Sequence, residues 1–142
     1  MTNVRARAIF VVALTAALAP AAPAYIHSYS GFLTGTGDVD TFSFTTDAAT
    51  IEIEFNCFTE AKLEVDVTRD GKYLCTFGID GFAGVARLVD IRDDERDTGN
   101  VRVEDVEGQA HVRVKGGGEF YVAVRSTQRS AEWGFSWSEA KD

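Results

Sequence analysis

In almost every segment after Tyr25 apolar and polar side chains take turns, and a period of two admits strands while excluding amphipathic helices. Ile51, Ile53 and Phe55 alternate with Glu52 and Glu54, and Leu63, Val65 and Val67 alternate with Glu64, Asp66 and Thr68. The same pattern returns in Phe42 and Phe44, Val101 and Val103, Val112 and Val114, Phe120, Val122 and Val124, and finally Trp133, Phe135 and Trp137. Each segment has one face to bury and one to wet, and each breaks at Gly, Asp or Asn. The expected fold is all-β, with about eight or nine short antiparallel strands arranged as a β-sandwich or jelly roll rather than a closed barrel.

The N-terminus has a different character. Arg5 and Arg7 precede an apolar run from Ala8 to Ala19, and Ala22-Pro23-Ala24 supplies a small-x-small cleavage site before Tyr25. Residues 1–24 are read as a signal peptide and 25–142 as a single β-sandwich domain, secreted to the periplasm or the exterior. The apolar run is shorter than the roughly 20 residues a spanning helix requires, so no membrane attachment is expected after cleavage. Removing Arg5 and Arg7 takes the net charge from −8 to −10. A surface that acidic repels phosphate backbones and anionic lipid, which argues against nucleic acid and membrane as partners.

Cys57 and Cys75 are the two cysteines, and in an oxidising compartment such a pair is expected to close. The hairpin at Arg69-Asp70-Gly71 bears on this. A three-residue loop pairs Val67 with Tyr73 and Val65 with Cys75 and turns Cys75 inward; a two-residue Asp-Gly turn shifts the pairing by one and turns it out. The expected disulfide favours the longer loop.

Three groups invite a functional reading. Asp38 and Asp40 lie two apart at the start of a strand, where both carboxylates project to one side; they either bind a hard cation or cap the turn and the sandwich edge. Asp93, Glu95 and Asp97, with Glu104, imitate the offsets of an EF-hand loop, but Thr98 replaces the required Gly and no helices flank it. This loop, from Asp90 to Asn100, is read as a solvated, self-paired surface or an improvised calcium site. Trp133 and Trp137 flank Phe135 on one face of the last strand, as either a core lining or an aromatic binding row. Calcium is the one cofactor these groups suggest. Catalysis finds little support: His27 and His111 belong to no nucleophile or metal motif, and GxSxG, HExxH and P-loop patterns are absent.

Several segments in order resemble the bacterial pre-peptidase C-terminal domain. They are Gly37-Asp38-Val39-Asp40-Thr41-Phe42-Ser43-Phe44, then Ala49 to Ile53, then Ala61 to Val67 with Asp70-Gly71, then Gly118 to Val124 and Trp133 to Trp137. The resemblance implies a non-catalytic jelly roll that binds an extracellular polymer, such as polysaccharide or collagen, or a protein, sometimes with calcium. An accessory protein assisting the secretion or stability of a secreted enzyme is the alternative, and a small secreted hydrolase comes third.

Overall fold

The structure, a computed structural model, describes residues 25–140 together with the backbone of Asn3–Val4 and Val12–Thr15. The expected signal peptide otherwise lies outside the described residues. The strands in chain order are β1 (Asn3–Val4), β2 (Val12–Thr15), β3 (Tyr25–Leu33), β4 (Asp38–Thr46), β5 (Thr50–Cys57) and β6 (Lys62–Arg69). They continue as β7 (Lys72–Asp80), β8 (Val85–Ile91), β9 (Val101–Val106), β10 (Gln109–Lys115), β11 (Gly118–Ser126) and β12 (Ala131–Glu139). A 3-10 turn at Asp93–Glu95 interrupts the loop between β8 and β9.

Ten of these strands make the sandwich, somewhat more than the sequence led one to expect. The first sheet runs β4-β11-β6-β7-β8 and the second β3-β12-β5-β10-β9, all antiparallel. β1 joins the β4 edge in parallel, and β2 joins the β3 edge. Strands β3 to β6 alternate between the sheets, as do β10 to β12, which gives the jelly-roll wrap.

One core fills the space between the sheets, because the apolar phase of every strand points the same way. Phe42 and Phe44 from β4 stack on Tyr29, Trp133 and Trp137 from the second sheet, and Phe55 meets Phe77 edge-on at 5.8 Å between centroids. Full burial of such side chains contributes about 1.5–3 kcal/mol each.

The hairpin between β6 and β7 corrects the sequence reading. Asp70 (φ 52°) and Gly71 (φ 78°) form a two-residue turn with left-handed dihedrals at both positions, and Arg69 pairs with Lys72. That shift alone would expel Cys75. A bulge at Leu74 shifts the register once more, so Val67 pairs with Cys75 and Val65 with Phe77, and the inward phase is restored. Leu74 and Cys75 both enter the core.

The expected disulfide is absent: Cys57 and Cys75 are free thiols. Cys57 donates to Thr59 O at 3.0 Å and lies 3.9 Å from Ala61 O, which in turn accepts Gly81 N, just past the end of β7. Cys75 stands six positions earlier on the same strand. At about 3.3 Å per residue this is roughly 20 Å, far beyond the ~7 Å limit for bridged Cα atoms. Parity brought both sulfurs inward but could not bring them to the same level. Burial pushes the Cys75 thiol up to about 12, so it stays protonated and inert at ordinary pH. Alkylation at pH 8 is therefore expected to leave Cys75 unmodified until the protein unfolds, with two alkylated cysteines in denaturant without reductant. A mass lower by two hydrogens in denaturant would contradict the free-thiol assignment.

Candidate functional site

With the inner faces committed to the core, the outer face of the second sheet carries hydroxyl, amide, carboxylate, imidazole and guanidinium side chains. Its outward residues follow from parity. Across β3, β12, β5, β10 and β9 the register aligns Ser28, Ser136, Glu54, His111 and Glu104 in one row. The next row is Ile26, Ser138, Glu52, Arg113 and Arg102, and on the other side Ser30, Gly134 and Asn56 align.

The face divides into two halves. On the β3 and β12 side, Ser28, Ser30, Asn56, Gly134 and Ser136 floor a neutral trough of about 250 Å³ with Phe58 as its wall. A Cβ on Gly134 would stand 3.0 Å from Phe58 Cε2, so the ring closes over the bare backbone. Phe58 is nevertheless 61% exposed, leaving much of the ring open to a ligand. Asn56 Oδ1 is sealed from water without a hydrogen bond, and a half-turn of the carboxamide exchanges it for the NH2 group.

On the β10 and β9 side, Glu52, Glu54, Glu104, His111, Arg102 and Arg113 surround a second depression of about 280 Å³. Arg113 Nη1 donates to Glu52 Oε1 at 3.2 Å, and His111 Nε2 lies 3.8 Å from Glu54 Oε1. Hydroxyls, an amide, carboxylates, an imidazole and guanidinium groups thus share one outer sheet face.

The residues singled out from sequence lie elsewhere, with the exception of His111. Asp38 and Asp40 do project to one side, but that side is inward: both are buried. Asp38 Oδ2 accepts from the Thr34 backbone N–H (2.8 Å) and hydroxyl (2.9 Å), closing the turn before β4. The Trp133 indole donates to Asp40 Oδ2 at 2.8 Å. Asp93, Glu95 and Asp97 do not converge. Asp93 pairs with Arg96, Glu95 turns inward to Arg69 (3.5 Å) and Asn100 (3.0 Å), and Asp97 takes a left-handed backbone (φ 65°). Among the described residues no group of three or more His, Cys, Asp or Glu side chains is placed to hold a metal ion.

Trp133 and Trp137 are core, at 0% and 5% exposure, and the aromatic binding row is withdrawn. Trp137 stacks between His27 (4.3 Å) and Phe44 (4.5 Å), which places His27 in the packing as well. His111 lies on the wet face as expected, flanked by Glu54 and Glu104; Ser136 stands two strands away from it.

Sequence reasoning missed Phe58, Asn56, Ser28 and Ser30, and read Gly134, Ser136 and Ser138 only as the small polar side of the last strand. The outward phase of each strand was legible, but which strands adjoin was not, and Phe58 follows the last residue of β5, beyond the reach of the alternation. Comparison with known proteins returns neither a matching family model nor a matching curated protein.

Proposed function

We propose that the protein is a secreted, non-enzymatic binding module, akin to pre-peptidase C-terminal domains, that holds an extracellular polymer on the outer face of its second sheet. The observation carrying this reading is the neutral trough: an exposed aromatic wall over a floor of hydroxyls and one amide, with no charge. Such a lining suits a ligand that offers an apolar face and hydroxyl groups together, as a sugar ring does. Binding without turnover is favoured by the sheet register, since His111 has carboxylates on both sides and no hydroxyl beside it to activate.

Co-sedimentation with insoluble cellulose, chitin, pectin and collagen tests the reading. Retention on at least one polymer is expected, weakened roughly threefold to tenfold by Phe58→Ala, the range for one lost aromatic stack. Tyr121→Ala, on the outer face of the first sheet, should have no effect. No retention, or loss with Tyr121→Ala alone, would overturn the assignment of this face.

A further inference from the structure

The chain as a whole is acidic, yet one corner of the proposed binding face is cationic. Arg102, Arg113 and Lys115, with Thr98 and Gly99, line a depression of about 390 Å³ that contains no carboxylate in its wall. Arg102 and Arg113 are direct cross-strand partners, an arrangement that costs stability when both carry the same charge. Arg113 finds Glu52, but among the described residues the Arg102 and Lys115 side chains have no ion pair, as Lys72, Arg87 and Arg129 have none; what sets Arg102 and Lys115 apart is that they share one depression with Arg113. The far wall is fixed: the Thr98 hydroxyl donates to Glu95 O at 2.7 Å and accepts from Asn100 N at 3.1 Å.

Resting on the reading above, we infer that this corner binds a carboxylate or sulfate group of an acidic polysaccharide whose sugar rings lie along the neutral trough. An anion between the two arginines relieves their repulsion and supplies the partner that Arg102 and Lys115 lack. The acidic remainder of the chain disfavours a polymer with uninterrupted charge. Duplex DNA carries one charge per ~1.7 Å of axis and would set many phosphates against the surrounding carboxylates. Neutral rings with separated anionic groups match a neutral trough and a cationic corner on the same face, with the Glu52 and Glu54 carboxylates of β5 between them to exclude closely spaced charge.

Titration calorimetry at low salt, with partly methyl-esterified oligogalacturonate, sparsely sulfated dextran oligomers, neutral cello-oligosaccharides and a 20-nucleotide single-stranded DNA as probes, tests the inference. One of the two acidic glycans is expected to bind best, with affinity falling as sodium chloride rises through the range where the Debye length shrinks. Arg102→Glu and Lys115→Glu should each weaken that binding by about tenfold or more. Arg102→Glu also converts a like-charge cross-strand pair into an opposite one, so it should fold at least as well as the parent. Lys72→Glu and Arg87→Glu, exposed cations elsewhere, should change nothing. Equal affinity for neutral and acidic glycans, tighter binding of the DNA, or indifference to Arg102→Glu would overturn the acidic-glycan site. Acidic-glycan binding lost with Phe58→Ala but untouched by Arg102→Glu would sink this inference alone. Binding that none of the outer-face substitutions alters would sink the broader reading too.

Discussion

Trp133→Ala should destabilise the protein by about 3–5 kcal/mol, the cost of emptying a large aromatic site in a packed core. Typical domains have only ~5–15 kcal/mol in total, so the variant is expected to be partly unfolded near room temperature or to melt far below the parent. The indole has two tasks. It packs against Phe42 (5.7 Å between centroids) and Phe55 (6.4 Å), and its Nε1–H satisfies a buried carboxyl oxygen of Asp40. Trp133→Phe separates them, because it keeps most of the packing and removes only the donor. A loss of about 1–3 kcal/mol is expected for that replacement, the penalty for leaving a buried polar atom without its partner. Chemical denaturation followed by circular dichroism checks both; equal losses for Phe and Ala would mean that the hydrogen bond dominates, and no loss for Phe that it contributes nothing.

How much of this was legible depends on which interaction sets each feature. Side-chain parity is a local property, so the inward sets Ile51, Ile53, Phe55 and Leu63, Val65, Val67 could be read directly and are buried as expected. The same rule placed Asp38 and Asp40 together correctly and still misled, since sharing a side does not say whether that side faces water. The hairpin shows the limit most clearly. The two-residue turn, set aside in favour of the longer loop, and the unforeseen Leu74 bulge each shift the register by one, so the two cancelled and Cys75 emerged on the correct face by the wrong pairing. Level along the sheet is a non-local property, and there the cancellation did not help: a disulfide needs two residues at one height, which parity does not encode. The proposed binding face is legible only in hindsight for the same reason. Glu54, His111 and Glu104 lie far apart in the chain and form a row only through the order β5-β10-β9.

Gly31→Ala is expected to cost about 3–5 kcal/mol, an unusual amount for one methyl group, as overpacking and a broken buried hydrogen bond add together. A Cβ at Gly31 would stand 2.4 Å from Asp40 Oδ2 and 2.7 Å from Trp133 Nε1, so it would intrude on both atoms of that bond. Gly31 pairs with Trp133 across the β3 and β12 ladder, which fixes its backbone and leaves the side chains to move. Neither can withdraw without stretching the bond between them. The backbone conformation of Gly31 is not left-handed, so the requirement for glycine comes from space and not from φ. A double-mutant cycle distinguishes this from simple crowding of the strand. In the Trp133→Phe background the indole nitrogen is gone and the ring is smaller, so the added methyl should cost at least about 1 kcal/mol less than in the parent. Additive losses in the two backgrounds would show that the methyl collides with something other than the indole, leaving Asp40 Oδ2 as the atom that excludes it.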